Sequence, residues 1–344
     1  HKAIRRQRQM CIRDSYKKYP EVRKILIGSS PYDETSRFNK VAFPGKNTPI
    51  LEIVDFLNAR ARENQWGFVD FNSPMVAINQ WEQAADSMYT LCGKDRIHPS
   101  TDGHLVMAYL FLKAQGLAGK PVADIRIDGA GKKVTRSDNC RVSDLSVSSD
   151  NLTFTYEAKS LPYPIDTSYY DNEKHTQADA LSVIPFMDEM NYEGLSVSGL
   201  LDGYYGLTIG GEFIGRFTAR ELERGINMAL LQNTPQYKQA MKIRQMNEER
   251  WLKERKMREF YWVEYNLMRK TGMLWACNEA AVDTLRKYRP HDIFLQWNGA
   301  LWLQYMHKGI REDCVNEQQD LVNQIYEQNK PIPLRIEIKK FTDL

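Results

Sequence analysis

The chain has 344 residues, enough for two domains and a sizeable core. Hydrophobic residues make up 42% and charged residues 26%, a globular composition, and no run reaches the roughly 18 apolar residues of a membrane span. A net charge of +3 is too small to argue for a nucleic-acid partner, and five scattered cysteines without a CxxC pair make neither a zinc site nor a disulfide framework.

Residues 1–18 are basic, with a poor apolar stripe, and the segment from Met10 to Ser15 fits a helix badly. The sequence opens on His1 without a secretory pattern, so the natural start is expected upstream. Val22 to Gly28 reads as a short buried strand. Pro49 behind Thr48 opens a helix through Ile50, Ile53, Val54, Phe56 and Leu57 toward Ala61. Gly67 to Phe71 is a second short strand. Ser73-Pro74 starts another helix, with Met75, Ile78, Trp81 and Ala85 on one face.

Then comes the stretch that carries chemistry, Asp95-Arg96-Ile97-His98-Pro99, followed by Ser100-Thr101-Asp102-Gly103-His104. A histidine becomes a useful general base when a carboxylate holds its Nδ1–H, because that fixes the tautomer and stabilises the imidazolium. Three residues of separation let one tight turn bring Asp95 and His98 together. The proline pushes His98 away from helical backbone. Ser100, Thr101 or Asp102 can cap the following helix, whose apolar face is Leu105, Val106, Ala108, Tyr109 and Leu112. On spacing alone, an ordinary capped turn is the commoner origin of such a pair. A metal site of Asp95, His98 and His104 is disfavoured, since the spacing of the two histidines does not stack two imidazoles on one helix face.

Asp-x-x-His-Pro followed by Gly-His and an apolar helix resembles the last sequence block of the SGNH hydrolases, the GDSL-type esterases and lipases. The resemblance covers about residues 20–116. It implies a Ser-His-Asp triad in which Asp95 orients and His98 is the base. The Gly-Asp-Ser and Gly-x-Asn-Asp blocks of that family do not occur here, and Gly28-Ser29-Ser30 lies at the end of a later strand. The resemblance therefore implies the C-terminal part of an N-terminally truncated member. The nucleophile and oxyanion residues would lie upstream, and the chain by itself is expected to be inactive. It further implies short-chain or acetyl esters as substrates, acylated carbohydrate among them, no cofactor or metal, and a secreted or periplasmic location.

Past Lys120 the period changes to two, with Ala123, Ile125 and Ile127 alternating with charged residues. Leu145 to Val147 and Leu152 to Tyr156 repeat the pattern, and Gly210-Gly211 is a two-residue hairpin signal. Thr218 and Glu221 form a capping box before a helix through Leu222, Ile226, Ala229 and Leu230. Pro235 begins a long charged helix to about Lys270. Its Lys/Arg-rich stretch from Lys253 to Arg258 is interleaved with glutamates, as in a solvated helix face. Trp275 to Lys287 and Arg311 to Lys330 read as further helices, and Leu334 to Phe341 as a terminal strand.

The expected fold is α/β: a parallel-sheet, flavodoxin-like SGNH domain lacking its first strands over residues 1–118, an antiparallel β unit over 119–217, and a helical extension with a terminal strand over 218–344. The competing function, from a different class, is a non-catalytic glycan- or protein-binding module in which the Asp95–His98 loop is vestigial.

Overall fold

The computed structural model describes Asp14, residues 16–168 and residues 175–341. The basic stretch through residue 13 lies outside them, as does Ser15, so the expectation for Met10 to Ser15 has no structural counterpart. The chain divides into two units, one of residues 1–120 and 165–191, the other of residues 121–164 and 192–344.

In the first unit, strand β1 (Ile25–Ile27) pairs in parallel with β2 (Gly67–Val69), and helix α1 (Asn47–Glu63) connects them. These are the two strands expected over residues 20–116, and their parallel pairing is the expected one. Gly28 extends the ladder through its N–H to the Val69 carbonyl at 2.8 Å. A Cβ at Gly28 would stand 3.1 Å from Val54, so glycine lets α1 lie close to the strand end. Val54 and Ala61 are the buried residues of α1, whereas Ile53 and Phe56 of its expected apolar face are exposed.

Helix α2 (Asn72–Glu82) also departs from its expected face. Met75 is buried, but Trp81 is 80% exposed and the inward position after Met75 belongs to Asn79. The reason is polar accounting. Asn79 Oδ1 accepts the Leu91 N–H at 2.8 Å, satisfying a buried backbone donor that no apolar side chain could. Helix α3 (Thr101–Ala114) buries Leu105, Val106 and Tyr109 of its expected face and half-buries Leu112, whereas Ala108 is exposed. The segment 165–191 belongs to this unit and carries a 3₁₀ turn (Gln177–Ser182) and a short helix α4 (Phe186–Glu189), whose Glu189 accepts from the Tyr109 hydroxyl at 2.9 Å.

The second unit holds two sheets. Strands β3 (Ala123–Asp128), β4 (Lys133–Asp138), β7 (Glu193–Ser198) and β10 (Ile226–Asn227) form one in the order β10-β7-β3-β4. Strands β5 (Cys140–Val147), β6 (Asn151–Ala158), β8 (Tyr204–Ile209), β9 (Glu212–Thr218) and β11 (Leu334–Lys340) form the other in the order β5-β6-β11-β8-β9. The five-stranded sheet is antiparallel throughout, but β3 and β7 pair in parallel, so the other sheet is mixed. The terminal strand β11 lies at the centre of the antiparallel sheet, between β6 and β8. Its alternation buries Leu334, Ile336 and Ile338 against Phe154, Leu207 and Ile209. Gly210 and Gly211, at φ 59° and 86°, make the hairpin between β8 and β9, where L side chains are disfavoured.

Both halves of the capping box form: the Glu221 N–H donates to Thr218 Oγ1 at 3.1 Å, and the Thr218 N–H donates to the Glu221 carboxylate at 2.7 Å. The helix it starts, α5 (Ala219–Arg224), is shorter than its apolar spacing suggested. Gly225 at φ 94° ends it, and Ile226 enters a strand instead. Then follow α6 (Pro235–Val263), a π-helical turn (Glu264–Met268), α7 (Glu279–Tyr288), α8 (Ile293–Tyr305) and α9 (Lys308–Gln328). Phe260, Val263, Met268, Leu285 and Trp302 are the centre of this helical core. No helix of the described residues is long and apolar enough to cross a membrane.

Candidate active site

Asp95 and His98 meet in the loop ahead of α3. Asp95 Oδ1 accepts the Ile97 and His98 amides at 3.0 and 2.9 Å, which closes the turn. Its other oxygen, Oδ2, is bonded to His98 Nδ1. Partial burial works to raise the Asp95 carboxyl, but the hydrogen bonds from the His98 amide, the His98 ring and the Ile97 amide outweigh it and hold the group below its usual range. Asp95 is thus a carboxylate where the imidazole needs one. The His98 side chain is 85% exposed and that of Asp95 52%. Among the described residues, the ring's second nitrogen, Nε2, has no hydrogen-bond partner, so it can accept a proton from a reacting group.

Two glycines and one arginine make this turn possible. Gly93, at φ 59°, would put a Cβ 2.7 Å from the His98 carbonyl oxygen. A Cβ on Gly103 would stand 2.3 Å from the Leu91 carbonyl, so the start of α3 packs directly on the loop backbone. Arg96 adopts φ 69° and turns its side chain inward, where it is 2% exposed. Its guanidinium donates to the Asp33 carbonyl at 2.9 Å, the Ser36 carbonyl at 2.9 Å, and both the main-chain and side-chain oxygens of Asn39. In return the Asp33 N–H donates to the Arg96 carbonyl at 2.9 Å. The loop after β1 and the Asp95–His98 loop are therefore one hydrogen-bonded body. This lies past the carboxyl ends of β1 and β2, where open parallel sheets bind ligands. Cys92, beside the loop, is buried, and burial pushes its thiol up to about 12, so it is a packed thiol and not a nucleophile.

Ser29 and Ser30 lie at the carboxyl end of β1. Ser30 Oγ donates to the Ile97 carbonyl at 3.5 Å, and Ser29 Oγ to the Ser30 carbonyl at 3.0 Å. Neither hydroxyl is bonded to His98. Ser100 precedes α3, but its hydroxyl is bonded to Asp102 and to the Leu91 carbonyl and does not cap the helix amides. His104 is exposed on α3. Among the described residues, no group of three or more histidine, cysteine or acidic side chains is arranged to hold a metal ion.

A second carboxylate–imidazole contact was absent from the sequence reading. Asp102 is fully buried, and burial raises its carboxyl despite bonds from Ser100 and the Gly103 amide. Its Oδ2 has no hydrogen bond, and His175 Nδ1 stands off at 3.6 Å with the Tyr89 ring against its imidazole. At that distance the contact is coulombic, a weaker hold than Asp95 has on His98. Nothing local signals it, because His175 reaches Asp102 only through the tertiary path of segment 165–191. Arg96 and Asp33 were likewise missed: an arginine between two candidate residues gives no sign in one dimension that it points inward.

The comparisons bear on which family this site serves. Residues 241–330 match the family model of the diltiazem deacetylase C-terminal helical domain. A solved structure described as BT4096, a gut microbial diltiazem-metabolizing enzyme, is 40% identical, with a TM-score of 0.88 over 99% of this chain and 77% of that one. No curated protein matches. These findings correct the family expectation. The resemblance to SGNH hydrolases covered about residues 20–116, whereas the likeness to BT4096 spans 99% of this chain. The account of the chain as an inactive, truncated SGNH member is withdrawn with it. The chain belongs to the diltiazem deacetylase family, hydrolases that act on ester bonds.

Proposed function

We propose that the protein removes acetyl groups from acetylated alcohols, diltiazem among them, with His98 as general base and Asp95 as the residue that orients it. The observation carrying this reading is the His98 ring: Nδ1 is held by an ionised carboxylate and Nε2 faces solvent at a strand-end rim. Nε2 takes the proton of the attacking oxygen, a serine hydroxyl or a water, as that oxygen adds to the acetyl carbonyl. The imidazolium is stabilised by Asp95. It then returns the proton to the departing alcohol oxygen as the carbon–oxygen bond breaks. With water as the attacking oxygen, acetate and the free alcohol leave in this one cycle; with serine, the alcohol leaves first, and a water whose proton His98 takes then attacks the acetyl-serine, releasing acetate as the proton passes back to the serine oxygen. Both choices of attacking oxygen ask the same of Asp95 and His98. Arg96 contributes by holding the turn, since a displacement of about 1 Å in such a site can cost about a hundredfold in rate.

Acetate release from diltiazem by the purified chain tests the reading. His98→Ala should lower kcat by about a thousandfold or more, and Asp95→Asn by a comparable factor through the wrong tautomer. A loss below about tenfold for His98→Ala removes it from the mechanism. A fluorophosphonate probe separates the two attacking oxygens. A labelled serine identified by peptide mapping means a covalent acetyl intermediate, and absence of label with turnover intact means direct attack by water.

A further inference from the structure

Cys277 and His307 form a nucleophile and base that the chemistry at His98 does not use. Cys277 Sγ is 3.4 Å from His307 Nδ1, within reach of a hydrogen bond from sulfur, and both residues are exposed. The other cysteines of the described residues, Cys92, Cys140 and Cys314, are buried. Cys277 therefore has the two things a reactive thiol needs, access from solvent and a group to take its proton.

The pair is anchored from both sides. Cys277 lies in the loop between the π-helical turn and α7, and His307 in the short link between α8 and α9. One buried carboxylate joins the two segments. Glu264 Oε2 accepts from the Trp275 N–H at 2.8 Å, two residues before Cys277. Glu264 Oε1 accepts from Trp302 Nε1 at 2.7 Å, on the last turn of α8 ahead of His307. Glu264 is 1% exposed, and a carboxylate taken out of water needs such donors, so the loop and α8 are tied to a common point. Trp275 adopts φ 63° where it makes this bond, a conformation that a bulky residue keeps only when its surroundings impose it. Arg311 donates to the Tyr305 and Met306 carbonyls at 2.6 and 2.7 Å, which fixes the backbone just before His307. Asn278, the residue after Cys277, caps α7 by accepting the Ala281 N–H at 3.0 Å. Thiol and imidazole thus meet from backbone held in place, which is how a nucleophile and its base are kept in register.

We propose that Cys277 is a thiol–disulfide exchange site, with His307 as its base and a small organic disulfide as the reactant. The S–H donates to Nδ1. As Sγ attacks one sulfur of the disulfide, its proton passes to the imidazole, the disulfide S–S bond breaks, and the departing thiolate takes that proton. Cys277 ends as a mixed disulfide and one free thiol is released. The disulfide is itself the oxidant, and excess thiol reverses the step. Exchange asks only for access and a base, which this pair has. Acyl transfer would also ask for oxyanion donors and a pocket that orients the substrate. The proposal is independent of the deacetylation reading.

Reaction of the full chain with oxidised glutathione, followed by intact mass and peptide mapping, tests it. Glutathione should add at Cys277, at least about tenfold faster than at the same residue in the urea-unfolded chain. His307→Gly should remove that advantage, and free imidazole in the buffer should restore it, which a merely structural histidine would not allow. If His307→Gly does not fold, His307→Gln carries the comparison and should be slowed alike. Faster addition at another cysteine overturns the proposal, as does a Cys277 rate equal to that of the unfolded chain. So does an unchanged rate in the His307 variants, or a slowed rate in folded His307→Gly that imidazole fails to restore.

Discussion

Two carboxylates, one in each unit, show how differently a fold can use the same group. Asp95 sits in a solvent-facing turn, surrounded by amide donors and an imidazole, and those donors hold its carboxyl down. Glu193, at the start of β7, is completely buried, and burial pushes its carboxyl up to about 7 despite bonds from Tyr156 and Gln236. The Tyr156 hydroxyl donates to Glu193 Oε1 at 2.8 Å and Gln236 Nε2 donates to the same oxygen at 3.2 Å, while Glu193 Oε2 and Gln236 Oε1 have no hydrogen-bond partner. Asp95 is held charged beside an imidazole, whereas burial favours the protonated form of Glu193 where strands β6 and β7 and helix α6 come together. Near neutral pH a proton on Glu193 adds a donor to a corner that has two idle acceptors. The first pair stays open to solvent, and the second cluster lies dry within a core.

The largest effect expected from breaking this contrast is at His98. Replacing it with alanine should remove about a thousandfold or more of kcat, about 4 kcal/mol of barrier, and leave the melting temperature unchanged because the side chain is almost wholly in solvent. Kinetics and thermal melting on one sample check both halves.

Next is the pH dependence of stability. A carboxyl whose folded pKa is raised keeps its proton while the unfolded chain has lost it, so stability falls as pH rises from the ordinary glutamate value toward about 7 and then levels. The loss attributable to Glu193 is about 3 kcal/mol over that window. Glu193→Gln supplies the missing donor without titrating and should flatten this part of the profile. A Glu193→Gln profile that keeps the full decline would mean that other groups cause it. Asp95 contributes with the opposite sign, losing stability only as pH drops through its lowered pKa.

Arg96→Lys sharpens the first half of the comparison. Lysine cannot reach the Asp33, Ser36 and Asn39 oxygens together. The turn should loosen and kcat fall about a hundredfold, with KM little changed if Arg96 acts only through the position of His98. The smallest effect is at the second carboxylate's partner. Tyr156→Phe removes one donor to Glu193 and should cost about 1 kcal/mol while moving the Glu193 titration further up. Stability curves at pH 5 and pH 8 separate the two consequences.

The Asp95–His98 pairing was legible because both partners lie in one turn, where spacing, the following proline and the helix start restrict the backbone. The same holds for the Thr218–Glu221 capping box, the Gly210-Gly211 hairpin and the alternation of β6 and β11. Apolar periodicity misled where a polar group had to satisfy the backbone, as with Asn79 in place of Trp81, and where one glycine outweighed a run of apolar spacing, as at Gly225. One loop and the order of elements over about residues 20–116 also proved too little to assign a family, because a turn that pairs a carboxylate with an imidazole is a local solution.

By itself, then, the sequence determined the elements whose hydrogen bonds close within a few residues: the turns, the caps, the strand alternation and the acid–imidazole pair. Only the tertiary structure decided which distant groups share an environment. It placed the terminal strand between β6 and β8, paired β3 with β7 in parallel, drew Arg96 under the loop of Asp33 and Asn39, set His175 near Asp102, and buried Glu193 beside Tyr156 and Gln236. The physical reason is that burial and long-range pairing are properties of the packed chain as a whole. No residue carries in its own neighbourhood the desolvation or the partners that packing will impose on it.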